Sequence, residues 1–395
     1  MLRNILLAGF LFLFLAGCLA PLRQEALRPA EGVRLRKLEV PPPLADDKDR
    51  LSLQAALEKS LTHLEKKPAR NSATYAGFRD PFFTPERTHR SAALFRKILL
   101  TATNEAEFLR AVRENFTFWE ATLDGQTRPI LLTGYYEPSL EGSLAKGPEY
   151  RYPLYRRPGD LFELKDRSPE KRVVRMEKGR PLPYYSRREI DTQGALAGKG
   201  WELIWLKDPW ERFVLHVQGS GQVRLPDGQS IRVGFAASNG LPYRSIGRVL
   251  IERGEVPEKE LTMQRIQDFL RQNPGRMEEI LNANERYVFF RLLTGSEGPV
   301  GALGLPLTAG RSIATDLTLF PPGAVAYVTG KQPVFDARGR VQSKKPFARF
   351  VLNQDTGAAI KGIGRVDFFC GSGDEAGMTA GAMRDEGRIY FLLAK

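Results

Sequence analysis

Two cysteines, Cys18 and Cys370, are all that the 395 residues contain. At most one disulfide is available, so the fold has to rely on a packed core. Histidine is equally scarce. His63, His89 and His216 form no H-x-x-x-H or C-x-x-C arrangement, which gives poor support to a metal centre or a histidine-activated nucleophile. Neither a metal nor a cofactor is expected. The apolar run Ile5–Leu15 is well short of the roughly 20 residues that a bilayer-spanning helix needs. There is no internal repeat.

What the chain does have is positive charge, 59 Lys and Arg against 46 Asp and Glu, for a formal net charge of +13. Such a surplus favours an anionic partner: lipid headgroups, nucleic acid or an acidic polymer. Residues 1–17 read as a signal peptide, with Arg3 ahead of the apolar run and a small-residue end. The L-A-G-C box ending at Cys18 resembles that of bacterial lipoproteins, which implies lipidation of Cys18, and export argues against nucleic acid. No Asp follows Cys18, so the expected location is the outer membrane, facing the periplasm. Residues 18–49, with Pro21, Pro29 and Pro41-Pro42-Pro43 and no sustained apolar period, read as a tether.

The length suggests two domains, and 42% hydrophobic with 27% charged residues is ordinary for a globular chain. Helical spacing begins at Leu53, Leu57, Leu61 and Leu64; a second helix carries Leu94 and Ile98, and a third opens at Asn104 with Glu107 three residues on. From Pro129 the texture becomes β-like. Strands are expected at Ile130–Pro138, Tyr152–Tyr155, Leu203–Leu206, Phe213–Val217, Gln222–Leu225 and Ile231–Phe235, the last two joined by the Pro226-Asp227-Gly228 turn. Ser186-Arg187-Arg188-Glu189 is a capping box. Helices are expected near Ser245, Met263 and Gly275, and strands again from Tyr287 to Leu393.

Chemistry is concentrated in Asn353–Gly377. Asp355 and Asp367 sit there among apolar residues and glycines, where a carboxylate is costly to ionise and a raised pKa is expected. A single Asp beside Gly is more often a turn cap. Here the constellation matters, because Asp316 precedes it in I-A-T-D-L-T-L-F-P-P-G. Leu132-Thr133-Gly134-Tyr135-Tyr136 and Val217-Gln218-Gly219-Ser220-Gly221 add hydroxyl, amide and aromatic groups of the kind that bind sugars.

With Asn239–Gly247, these stretches resemble the membrane-bound lytic murein transglycosylase A family, from about Ile130 to Leu393. The resemblance implies a mainly β fold with flanking helices, in which a double-psi β-barrel domain (50–137 and 240–395) carries a smaller inserted β-domain (138–239) and the glycan lies between them. It implies a peptidoglycan lytic exotransglycosylase, a lyase that cleaves the MurNAc-GlcNAc β-1,4 bond and leaves 1,6-anhydro-MurNAc ends. Asp367 matches the acid/base, with Asp355 and Asp316 supporting it and Glu375 in reserve. Thr133, Tyr136, Gln218, Ser220, Tyr243, Arg244 and Lys361 fall on matching stretches as substrate-binding candidates. The implied partners are peptidoglycan strands and, through the anchor, a membrane; the protein is expected to be monomeric. Phe369 and Cys370 depart from the family pattern, which has a tyrosine and a polar residue there. Two other readings stand beside this one. Asp355-Thr356-Gly357 resembles an aspartic-protease motif, although only one D-[ST]-G occurs. The other is a non-catalytic peptidoglycan-binding lipoprotein that uses the same groove, although a pure binder gains little from buried acids.

Overall fold

The computed structural model describes residues 33–66, 80–164, 172–294 and 298–395. The leader, Cys18 and the first part of the tether lie outside them. No helix of the described residues is long and apolar enough to cross a membrane.

Six strands close into a barrel: Ile130–Glu137, Ser312–Ala314, Val325–Phe335, Val341–Asp355, Arg365–Ser372 and Arg384–Ala394. Closure comes from Arg384–Gly387 pairing with Ile130–Thr133. Two of the pairings are parallel, Ser312–Ala314 with Val341–Asp355 and Arg365–Ser372 with Ile130–Glu137, in keeping with the double-psi expectation. The period of two explains why the barrel strands read as unbroken apolar runs. In Phe350-Val351-Leu352, Val351 faces the barrel interior with Val328, Phe368 and Phe391, while Phe350 and Leu352 face outward. That outer face is covered by the helices Arg50–Glu65, Pro85–Thr101 and Glu105–Asn115, which contribute Leu57, Phe95 and Phe108. One close approach demands glycine. A Cβ on Gly387 would lie 2.3 Å from Leu132 Cδ1 and 2.5 Å from the Thr329 carbonyl oxygen.

Part of the expected tether belongs to the folded body. Val33–Lys37 is a strand antiparallel to Phe116–Leu123, and the acidic pair that follows docks onto buried arginines. Arg311, with no solvent exposure, donates to Asp46 Oδ2 at 2.8 Å and to the Lys48 and Asp49 carbonyls. Arg349 grips Asp47 through two 2.7 Å bonds. Only Leu35 of the five strand residues is buried, too little for an apolar period to register, and Asp46 and Asp47 look like solvated charge until their partners are known.

A second, six-stranded sheet contains Ser139–Ser143, Tyr152–Tyr155, Glu202–Leu206, Ser220–Arg224, Ser230–Ser238 and Val288–Leu293. Its last strand lies beyond residue 239, because the chain leaves for a helical excursion and returns to pair with Arg232–Ser238. A boundary at 239 therefore cuts through the sheet's pairing. Phe213–Val217, expected as a strand, is helical. It belongs to Pro209–Gln218, where Asp208 caps the start, Pro209 fills the first turn and Gly219 ends the helix at φ 82°. Its apolar residues are dense enough to resemble a strand, but Trp210, Phe213 and Val214 pack against Ile246, Leu250 and Phe269 of the excursion helices.

The barrel and the second sheet are pinned where one runs into the other. Glu137, which has no solvent exposure, accepts from Arg232 Nε at 2.8 Å and from Ser372 Oγ at 2.7 Å. Those partners come from the second sheet and from the end of the strand that carries Asp367.

Candidate active site

The Arg365–Ser372 strand is flanked by Ser312–Ala314 and Ile130–Glu137, which sets Asp367 opposite Ala314 on one side and Thr133 on the other. Val366 and Phe368 point into the barrel core. Alternation therefore turns Arg365, Asp367 and Phe369 to the opposite face. Arg365 donates from Nη2 to Asp367 Oδ1 at 3.3 Å and from Nε to Thr133 Oγ1 at 3.1 Å. Asp367 Oδ2 has no protein hydrogen bond among the described residues. The side chain is 13% exposed; burial pushes its carboxyl above the usual range, and Arg365 pulls against that shift.

Asp355 ends the Val341–Asp355 strand with both oxygens occupied. Oδ2 accepts from the Tyr135 hydroxyl at 2.8 Å, and Oδ1 accepts from the amides of Ala302 and Thr356 at 2.8 and 2.9 Å. Burial nevertheless pushes this carboxyl from 3.8 up to about 6, against the three donors, and the Asp367 charge adds to the rise. Tyr135 is held protonated by its own burial and then by the Asp355 charge. Its ring lies 5.3 Å from that of Phe369.

A raised carboxyl pKa has a definite sign for stability. The folded protein keeps the Asp355 proton at pH values where the unfolded chain has lost it, so the wild type loses stability as pH rises through about 6. Asp355→Asn removes that ionisation. The variant should be more stable than wild type at pH 7.5, by about 3 kcal/mol from the size of the shift, and close to equal at pH 4. Chemical unfolding at the two pH values checks this.

Asp316 is a clamp. Oδ1 accepts from the Thr318 amide and hydroxyl at 3.1 and 2.6 Å, and Oδ2 accepts from the Gly362 amide at 3.0 Å. Gly362 sits at φ 76°, a region that favours glycine. The loop between Asp355 and Arg365 is thereby tied down, helped by Thr356 Oγ1 donating to the Thr315 carbonyl at 2.7 Å. Lys361, on the same loop, is exposed and makes no side-chain bond among the described residues.

The other sequence candidates divide. Tyr243 comes close enough for Arg365 and Asp367 to act on its hydroxyl, which burial pushes up and a hydrogen bond to Ser245 pulls down. Gln218 spends its side-chain oxygen on the Tyr136 amide at 3.1 Å, latching the Ile130–Glu137 strand. The Tyr136 ring lies against Gly377, where an added Cβ would sit 2.9 Å from it. Ser220 pairs with Gly234 in the second sheet. Arg244 turns its guanidinium to Glu252 at 3.2 Å. Glu375 lies in the exposed first turn of the Asp374–Ala382 helix, where negative charge suits the helix dipole. Asp367, Asp355, Thr133 and Tyr243 are therefore brought together, Asp316 supports them from behind, and Arg244 is not part of the group.

Sequence reasoning missed Arg365, Tyr135, Ala302 and Glu137. Strand alternation flags the first two, because Arg365 is two residues before Asp367 and Tyr135 two after Thr133. Ala302 contributes only its amide, which leaves no side-chain signal.

Two sequence profiles match the chain: the MltA specific insert domain over residues 131–291 and the 3D domain over residues 311–393. Membrane-bound lytic murein transglycosylase A of Escherichia coli K12 is 34% identical over 67% of this chain and 65% of its own length. The chain thus spans about 65% of the curated relatives it first matches. The crystal structure of a membrane-bound lytic murein transglycosylase from Agrobacterium tumefaciens is similar with a TM-score of 0.73 and 31% identity, over 88% of this chain and 93% of that one. E. coli MltA with bound chitohexaose is similar at a TM-score of 0.66 and 25% identity, over 91% and 94%.

Proposed function

The chain belongs to the membrane-bound lytic murein transglycosylase A family, and from that premise we propose that it cleaves the MurNAc-GlcNAc β-1,4 bond of peptidoglycan without water, using Asp367 as the sole acid/base. The observation that carries this reading is the unequal use of the two buried carboxyls. Asp355 has both oxygens filled by donors, whereas Asp367 keeps Oδ2 open. Hydrolysis by the usual route needs two working carboxyls. Transglycosylation needs one. Asp367 protonates the glycosidic oxygen as its bond to C1 breaks; the MurNAc 6-hydroxyl then closes on C1 and returns a proton to the carboxylate. Ionised Asp355 stabilises the positive charge that develops at C1, and Asp316 acts at a distance as a positioning residue.

The glycan lies between the barrel and the second sheet, on the face that carries Asp367; that the ligand is a glycan is supported by the relative solved with bound chitohexaose. Thr133, Tyr243 and Lys361 are the contacts this geometry favours, with Tyr136 and Ser220 bordering the path and Gln218 acting through Tyr136. Incubation with purified sacculi tests the reading. The expected result is solubilisation with anhydro-muropeptides in the supernatant; sedimentation with intact sacculi and no release would mark a non-catalytic binder.

The proposal extends to attachment at the periplasmic face of the outer membrane through acylated Cys18, with residues 18–32 as the tether. Cys18→Ser should leave the membrane fraction and retain full turnover. Pelleting of that variant through a high-salt wash would transfer the anchoring role to another part of the protein.

A further inference from the structure

Behind the catalytic strand, on the face turned away from Asp367, lies a cavity of about 160 Å³ lined by Lys48, Gln332, Phe347, Arg349, Phe368, Cys370, Thr379 and Met383 among others. Polar groups share its walls with the Phe347, Phe368 and Met383 side chains, and its charge is one-sided. The Arg349 guanidinium stacks over Phe347 and Phe368, 4.7 and 5.5 Å from the ring centroids, but Asp47 already holds it by two bonds and Gln332 by a third. Thr379 has committed its hydroxyl proton to the Glu375 carbonyl. Lys48 differs. Its stem lies against Gly310, where an added Cβ would sit 3.1 Å from its Cδ and Cε, and its ammonium has no hydrogen bond or ion pair among the described residues.

A half-buried cation beside an aromatic and thioether wall selects an anion with a flat or branched apolar body. The volume is close to that of the engineered cavity of about 150 Å³ that holds benzene. We propose that this cavity binds a small aromatic or branched aliphatic carboxylate, its carboxylate on Lys48 and its body between Phe347, Phe368 and Met383. The site is independent of the glycan reading, since it uses the other face of the Arg365–Ser372 strand. It nevertheless bears on Asp367, because Phe368 follows that residue directly.

4-Bromobenzoate serves as the probe. Soaked crystals should show one anomalous bromine peak inside the cavity, with the carboxylate at ion-pair distance from Lys48. Titration calorimetry should find at least tenfold weaker binding to Lys48→Met. Cys370→Leu, which fills the space without touching charge, should bind at least tenfold more weakly as well. Melting temperatures near wild type establish that both variants are folded. Bromine in the glycan groove only, no bromine at all, or equal affinity in wild type and Lys48→Met would each overturn the proposal.

Discussion

Asp367→Asn should bind glycan as well as the wild type and turn it over at least about a hundred times more slowly, the scale expected when a sole general acid/base is lost. The substitution keeps the shape and the oxygen that accepts from Arg365 Nη2. What disappears is a proton that can be given and taken back near neutral pH. Burial raises the wild-type carboxyl toward that range, whereas an amide does not titrate there. Thr133→Ala should be milder, because Thr133 accepts from Arg365 Nε and positions the sugar without moving a proton. Sacculus sedimentation measures binding and muropeptide release measures turnover. Near-normal release by a folded Asp367→Asn protein would move the acid role to Asp355, the neighbour already pushed up to about 6.

The second large effect concerns stability. Arg232→Met should destabilise the protein by about 3–5 kcal/mol, the usual consequence of leaving a buried charge without its partner. Glu137 has no solvent exposure, and Arg232 Nε at 2.8 Å is its charged partner, with Ser372 Oγ the other donor to the carboxylate. Adding Glu137→Gln should recover part of the loss, since the uncompensated charge is then gone. Because Ser372 ends the strand that carries Asp367, the single variant should also slow turnover. Urea unfolding of the two single variants and the double variant measures the coupling; a loss below about 1 kcal/mol in Arg232→Met would mean that water replaces the guanidinium without difficulty.

Much of the fold is legible where the signals are local. Leu53, Leu57, Leu61 and Leu64 lie on a real helix face, the Ser186–Glu189 capping box forms, and Pro226-Asp227-Gly228 joins two paired strands. Pairing between distant segments is not local. Val33–Lys37 shows its strand character only beside Phe116–Leu123, and Val288–Leu293 shows its sheet only beside Arg232–Ser238. At Phe213–Val217 the caps on either side outweigh the β-like composition.

The site follows the same division. Asp355 and Asp367 stand out because carboxyls among apolar residues and glycines are conspicuous, but their inequality does not. It depends on Tyr135, on the Ala302 amide 53 residues upstream of Asp355, and on Arg365. Asp316 looks equivalent to the other two until Thr318 and Gly362 are seen to occupy its oxygens. Arg244 sits in a matching motif, yet its side chain turns to Glu252.

The central claim is that one aspartate breaks the glycosidic bond without water, and digestion of purified sacculi in water enriched in heavy oxygen tests it most directly. Released muropeptides should end in 1,6-anhydro-MurNAc, lighter by one water than reducing-end products and free of the label. Reducing ends that carry heavy oxygen would contradict it, because a second carboxyl would then have to activate water at C1.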